Sequence, residues 1–206
     1  IFDAMVNGKI DTGSMTFDVS LLDVQALNEE ALAFVPDICK VSYGVLPLLL
    51  ENYELLDSGS ALGRGVGPLL IRRAGEFIEA DAINEMPVAI PGLHTTANLL
   101  FSLAYPGAKN KRIMRYDQIE SFVSEGKGLG VIIHENRFTY QDKGLEKILD
   151  LGEYWESSTQ SAIPLGALLL KRSIAPAIKR EIEKLIRTST QFAFANHPVL
   201  QALVLQ

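Results

Sequence analysis

Apolar positions along this chain alternate between short strand-like runs and helix-like stripes. Runs rich in apolar and β-branched residues, such as 87–92 and 130–133, are typical of buried strands. The stretch 87–134 follows the order strand, helix, strand, helix, strand, which predicts a parallel sheet covered by helices. Within 173–196, apolar residues share one face and charged residues the other, so the pattern predicts a long amphipathic helix.

Further patterns predict the elements on either side of this stretch. Alternation predicts a strand over 15–19, and the run 38–43 predicts another strand. Asp23 is suited to cap the helix that follows it. The apolar run 163–170 predicts a strand that returns to the first part of the fold.

The segment 58–68 contains four glycines but does not carry a phosphate-binding pattern. The sequence G-x-x-x-x-G-K-[ST] is absent, and no clear helix follows the glycines. We therefore interpret them as turns that lead into a strand at 68–71.

Composition and charge limit the classes of function. The chain has 206 residues, 48% hydrophobic and 21% charged, which is enough to bury a substantial core. Its formal net charge of −6 disfavours a general nucleic-acid binder but permits a local basic pocket for an anionic small molecule. No stretch is long and apolar enough to be predicted as a transmembrane helix. The single cysteine, Cys39, forms no metal-binding pattern and is predicted to be buried.

His134 is the first candidate for chemistry because it follows a predicted buried strand. The carboxyl ends of strands in α/β folds are where ligands bind, and histidine exchanges protons near neutral pH. A capping or partly buried structural histidine remains the alternative from spacing alone.

Two other places could complete a site with His134. Ser42 ends a predicted strand, where it either contacts a ligand or caps the next helix. Thr95 and Thr96 begin a predicted helix after a glycine turn. Their hydroxyls and the free amides of the helix end either bind an anion such as a carboxylate, or the threonines only cap their own helix.

Several of these segments together resemble the 1,4-dihydroxy-6-naphthoate synthases of the futalosine pathway of menaquinone biosynthesis. They are 58–69, 91–97 and 132–140, with 23–28 and 151–156 also matching. The resemblance extends from residue 1 to about residue 196. In the family, a short loop with the sequence S-P-C-P-N-D-T-F precedes the first of these residues and further chain follows the last helix.

The resemblance implies an α/β fold of the periplasmic-binding-protein-like type II, with two α/β lobes and a central cleft. We expect lobe 1 to comprise 1–88 plus 165–206, and lobe 2 to comprise 89–164. The implied reaction converts cyclic dehypoxanthinylfutalosine to 1,4-dihydroxy-6-naphthoate without a metal or organic cofactor. His134 is the implied proton acceptor. The implied substrate-binding residues are Lys40, Val41, Ser42, Thr95, Thr96 and Ala97.

Two other functions share this fold and stay open at this point. One is a non-catalytic solute-binding protein, and the other is the sibling enzyme chorismate dehydratase. The H-E-x-R-F-T-Y segment that contains His134 favours the naphthoate synthase. We accordingly expect a cytoplasmic lyase that binds a small-molecule carboxylate, neither nucleic acid nor membrane, and is a monomer or weak dimer.

Overall fold

The computed structural model describes residues 1–196, which form two β-sheets with helices packed against them. The helices are α1 (Asp3–Val6), α2 (Val24–Leu32), α3 (Leu46–Leu49), α4 (Thr96–Ala104), α5 (Ile119–Ser124), α6 (Asn136–Thr139), α7 (Leu151–Thr159) and α8 (Pro176–Ala195). The strands are β1 (Ile38–Ser42), β2 (Tyr53–Leu55), β3 (Ala61–Gly63), β4 (Leu69–Arg73), β5 (Val88–Ile90), β6 (Lys111–Ile113), β7 (Leu129–Ile132), β8 (Leu145–Asp150) and β9 (Ile163–Lys171). Short 3-10 helices lie at Ala80–Asn84, Tyr116–Gln118 and Tyr140–Lys143.

The first sheet is built around β9, which pairs antiparallel with β1, β2 and β3. The central part of β9 is buried, which explains its continuous apolar sequence. Helix α2 packs on β1, and α1 packs on α8. The strand predicted over 163–170 is therefore confirmed, and so is its return to the first sheet.

The second sheet has the strand order β6-β5-β7-β4-β8. Strand β5 pairs parallel with β6 and β7, so the predicted parallel arrangement within 87–134 is confirmed. Its connections are α4 and α5, and α5 packs on β5 and β7. Strands β4 and β8 extend the sheet in antiparallel fashion beside β7.

The chain passes between the sheets twice. Because β4 is hydrogen-bonded to β7 and β8, it belongs to the second sheet, although the division expected at residue 88 assigns it to lobe 1. We propose on this basis that the first crossing lies between Gly63 and Leu69, and that the return lies at the start of β9. Residues 197–206, the end of the expected lobe 1, lie outside the described residues.

One predicted strand is wrong, and short strands of the first sheet were not predicted. The strand predicted over 15–19 is wrong, because this segment is irregular and its Met15 and Phe17 side chains pack on the core beneath α8. The alternation of apolar and polar residues in this segment reflects alternating burial of side chains, without pairing to another strand. The sequence also missed β2 and β3, which have three residues each; β3 lies in the glycine-rich segment.

The remaining predicted elements lie close to their expected positions. The strand predicted over 38–43 is β1, and the strand after the glycine-rich segment is β4. The long helix predicted within 173–196 is α8. No helix within residues 1–196 combines the length and apolar character needed to cross a membrane.

Candidate active site

A cavity of about 1050 Å³ opens between the two sheets. Its walls come from α2, β1 and β9 on one side and from the start of α4 and the segment after β7 on the other. All of the residues predicted from the sequence line this cavity: Lys40, Val41, Ser42, Thr95, Thr96, Ala97 and His134. The fold therefore brings together residues that are separated along the chain, while their roles stay predictions.

Ser42 is held in place by a buried asparagine that sequence reasoning missed. The Ser42 amide donates to Asn28 Oδ1 at 2.9 Å, and Asn28 Nδ2 donates to Ser42 Oγ at 3.2 Å. Asn28 is fully buried and also donates to the carbonyl of His94 at 3.4 Å. Because the asparagine amide occupies a lone pair of Ser42 Oγ, the hydroxyl proton of Ser42 is left to donate to another group, such as a ligand.

Ser42 does not cap the helix that follows it. Helix α3 begins at Leu46, and its N-cap residue Val45 has no side-chain hydrogen bond. The chain between β1 and α3 instead approaches α4 closely at Gly44. A Cβ at Gly44 would lie 2.7 Å from the carbonyl oxygen of Thr95, so this approach requires glycine.

The start of α4 presents backbone amides to the cavity. The Thr95 hydroxyl donates to the Gly92 carbonyl at 2.8 Å and accepts from the Asn98 amide at 3.2 Å, so it caps the helix. The Thr96 hydroxyl donates to the carbonyl of Leu165 at 3.0 Å. Both hydroxyl protons are thus donated to backbone carbonyls of the protein and are not left for a ligand. The donors left for an anion are the amides of Thr96 and Ala97, which have no acceptor within residues 1–196.

His134 lies two residues beyond β7, at the mouth of the cavity. Its φ of 57° is in the left-handed region, which histidine adopts more readily than most residues but still rarely. The ring meets Tyr116 edge-on, with 5.4 Å between centroids and 80° between planes. The side chain is exposed, and in the described part of the chain neither ring nitrogen forms a hydrogen bond. Both nitrogens are therefore accessible to a ligand.

Arg137 and Asp150 form a buried ion pair next to His134 that the sequence did not reveal. Arg137 Nη2 lies 2.6 Å from Asp150 Oδ2, and Nη1 donates to the carbonyl of Gly67 at 2.7 Å. Their side chains are only 16% and 1% exposed. The partners are 13 and 70 residues from Arg137 along the chain, so spacing gave no signal for the contact.

Three cationic side chains line the cavity, although two of them are paired with carboxylates: Arg115 with Asp117 and Arg137 with Asp150. The third is Lys40, and Asp23 is the single acidic residue among the lining residues described. Asp23 accepts hydrogen bonds from two amides at the start of α2, as predicted for its cap. Apolar side chains cover much of the remaining wall, among them Leu22, Val24, Leu27, Val66, Ile133 and Phe138. This combination suits an anion attached to an apolar or aromatic body.

Cys39 lies outside this cavity, in the core of the first sheet. It is 4% exposed, which confirms the prediction that it is buried. Burial raises the pKa of its thiol to about 12, so the thiol stays protonated at neutral pH. Within the described residues, no group of three or more His, Cys, Asp or Glu side chains could hold a metal ion.

Comparisons with known proteins identify relatives along the whole chain. Residues 1–205 match the family model described as menaquinone biosynthesis. A 1,4-dihydroxy-6-naphthoate synthase of Streptomyces coelicolor is 39% identical over 214 residues, covering 100% of this chain and 73% of the relative. A 1,4-dihydroxy-6-naphthoate synthase of Thermus thermophilus is 39% identical over 199 residues, covering 96% of this chain and 71% of the relative.

Solved structures confirm the fold class. A protein of Archaeoglobus fulgidus superposes with a TM-score of 0.85 at 31% identity, covering 95% of this chain and 72% of that one. A substrate-binding protein of an amino acid ABC transporter superposes with a TM-score of 0.61 at 10% identity, covering 92% and 78%. The second likeness shows the fold alone, which is periplasmic-binding-protein-like type II with two α/β lobes. By its sequence match and its fold, the chain belongs to the menaquinone biosynthesis family.

Proposed function

We propose that this chain acts as a 1,4-dihydroxy-6-naphthoate synthase, a lyase that converts cyclic dehypoxanthinylfutalosine to 1,4-dihydroxy-6-naphthoate during menaquinone biosynthesis. The two curated relatives carry this name. The observation that carries the proposal is the convergence of Lys40, Ser42, the start of α4 and His134 on one cavity. As the resemblance implies, the proposed reaction uses no metal or organic cofactor.

In this proposal, the substrate carboxylate binds at the start of α4. The amides of Thr96 and Ala97 donate to it, and the helix dipole favours its negative charge. Lys40 supplies a positive charge from β1, and Ser42 supplies a hydroxyl donor whose direction is set by Asn28. The apolar wall accommodates the ring system. Lys40, which forms no ion pair within the described residues, supports this placement of an anion.

His134 is the proposed general base. Cleavage of the carbon skeleton requires removal of a proton from a hydroxyl group or an acidic carbon, and a neutral imidazole accepts such a proton near neutral pH. The exposed ring nitrogens at the cavity mouth support this role, because no side chain in the described part of the chain forms a hydrogen bond with them. Closure of the two lobes over the substrate would exclude water during the reaction.

We further propose that the protein is cytoplasmic and is a monomer or weak dimer. The support for the location is that the curated relatives are named as enzymes of small-molecule synthesis. Light scattering coupled to size-exclusion chromatography tests the oligomeric state. Fractionation of cells that express the protein tests the location.

Incubation of the purified protein with cyclic dehypoxanthinylfutalosine tests the function directly. We expect the absorbance of 1,4-dihydroxy-6-naphthoate to appear in proportion to enzyme concentration. Chorismate serves as a parallel substrate. Turnover of chorismate alone would identify the sibling dehydratase, and tight binding of the cyclic compound without turnover would identify a solute-binding protein.

A further inference from the structure

We propose that Arg137 is a positioning residue that fixes His134 relative to the crossover between the two sheets. It does so through its ion pair with Asp150 and its hydrogen bond to the carbonyl of Gly67. The inference rests on the proposed function, because it assumes that His134 acts as the base. It assigns Arg137 no contact with the reacting atoms.

The backbone at His134 needs such support. A left-handed backbone is disfavoured for a residue other than glycine, and His134 adopts this region with a φ of 57°. The exposed side chain of His134 contacts Tyr116 edge-on and forms no hydrogen bond in the described chain. Contacts of the neighbouring residues must therefore hold the turn in place.

Two residues after His134 connect this turn to the rest of the fold: Asn136, whose side-chain amide donates to Glu120 Oε2, and Arg137. The backbone amide of Arg137 donates to the carbonyl of His134 at 3.2 Å. Its guanidinium makes two short hydrogen bonds, to Asp150 at 2.6 Å and to Gly67 at 2.7 Å. With the side chain 16% exposed, this pair is shielded from solvent, so its geometry is more sharply defined than that of a surface pair.

Asp150 provides a rigid anchor because both of its carboxylate oxygens are occupied. Oδ1 accepts from the amides of Gly152 and Glu153 at 2.9 and 3.1 Å and so caps α7, while Oδ2 accepts from Arg137. Asp150 lies at the end of β8 and is 2% exposed. An aspartate bound in this way serves to hold Arg137 in place.

The second anchor, Gly67, links His134 to the passage between the sheets. Gly67 lies in the chain between β3 and β4, which belong to different sheets. It packs directly on the start of α7, since a Cβ at Gly152 would lie 2.8 Å from the Gly67 Cα. The guanidinium thus joins the His134 turn, the start of α7 and the crossover, and a movement of the crossover would be transmitted to His134.

The kinetics of Arg137→Met test this role. We expect kcat to fall by about 10-fold to 100-fold, because a misplaced base loses the alignment on which proton transfer depends, while KM stays within about threefold. The kcat of Arg137→Lys should lie between those of the unmodified protein and Arg137→Met, because lysine keeps the positive charge but lacks the planar guanidinium group. Asp150→Asn should lower kcat as Arg137→Met does. If Arg137→Met does not fold, Arg137→Lys and Asp150→Asn provide the test.

Arg72→Met is the matched control. Arg72 pairs with Glu146 at 3.3 Å between β4 and β8, so the control removes an arginine–carboxylate pair from the same sheet away from the cavity. It should leave kcat and KM unchanged. Unchanged kcat in Arg137→Met would overturn the inference, and so would a rise in KM alone, which would mark Arg137 as a direct substrate ligand.

A measurement without substrate separates this inference from the proposed function. The chain has three histidines, so the imidazole C2 proton of His134 can be assigned in NMR spectra by its loss in His134→Ala. We expect this signal to shift or broaden in Arg137→Met and to stay unchanged in Arg72→Met. An unchanged signal in Arg137→Met would overturn the positioning role, whereas failure of the unmodified protein to make naphthoate would overturn the proposed function.

Discussion

Lys40 is the cation of the cavity that is left free for a ligand. Arg115 binds both carboxylate oxygens of Asp117, and Arg137 is paired with Asp150. Within the described residues, Lys40 forms no ion pair. It lies on β1 two residues before Ser42, at the wall opposite His134's turn. Its ammonium group is therefore available to neutralise an anionic substrate.

Replacing Lys40 with methionine should weaken substrate binding. We expect KM to rise by about tenfold, because one charge-assisted hydrogen bond of about 1.5 kcal/mol is lost, and kcat to change little. Lys109→Met is the control, since Lys109 is also exposed but lies outside the cavity. Steady-state kinetics of both variants test this, and an unchanged KM in Lys40→Met would remove Lys40 from the binding site.

The sequence predicted residues whose chemistry is tied to the end of an element. Ser42 ends a short apolar strand and His134 follows one, so pattern and residue type were sufficient to select them, whereas Lys40, in the middle of β1, came from the family resemblance. Asn28 and Arg137 could not be found in this way. Their partners lie up to 66 and 70 residues away in the chain, and only the folded arrangement creates the contacts.

At the scale of elements, the capped helices are the features that local chemistry specifies best. Asp23 ends an irregular segment and accepts bonds from the amides of Gln25 and Ala26, as its position predicted. The irregular segment before it was misassigned as a strand over 15–19. Alternating burial is common to strands and to extended chain that packs on a core, and sequence alone does not reveal whether a partner strand is present.

Two substitutions at Asp23 separate capping from charge. Asp23→Ala should lower the free energy of unfolding by about 1 kcal/mol, because the cap of α2 is lost. Asp23→Asn should keep stability within about 0.5 kcal/mol of the unmodified protein, since asparagine caps equally well without a charge. Urea denaturation measures both. Equal destabilisation by the two substitutions would show that the charge of Asp23, and not its cap, stabilises the fold.

At the scale of the whole molecule, the sequence predicted two α/β lobes but not which sheet β4 joins. The glycine-rich segment before β4 has no apolar period that indicates its destination. Strand β4 acquires its partners β7 and β8 from residues about 60 to 80 positions later. Such long-range pairing is decided by tertiary packing, which is why the expected boundary at 88 and the observed sheet membership differ.

Cys39 offers a probe of how the first sheet opens. Its thiol has an ordinary pKa of 9.0 that burial raises to about 12. The folded state therefore retains this proton more tightly than the unfolded chain, so the thiol's contribution to stability is complete below a pH of about 9 and is lost as the pH rises towards 12.

The same burial should protect Cys39 from thiol reagents. At a pH of about 8, we expect negligible labelling of the native protein and labelling of one thiol per chain after unfolding in urea. Labelling at intermediate urea concentrations then reports on the opening of the first-sheet core. Rapid labelling without urea would contradict the burial of this residue.

In the proposed mechanism, His134 acts as the base in a cavity whose other residues bind the substrate. The most direct test compares His134→Ala with the unmodified protein in two measurements, naphthoate formation at saturating substrate and substrate affinity by calorimetry. We expect turnover to fall by about 100-fold or more in His134→Ala, while Kd changes by less than about threefold. Near-normal turnover in His134→Ala would contradict this mechanism.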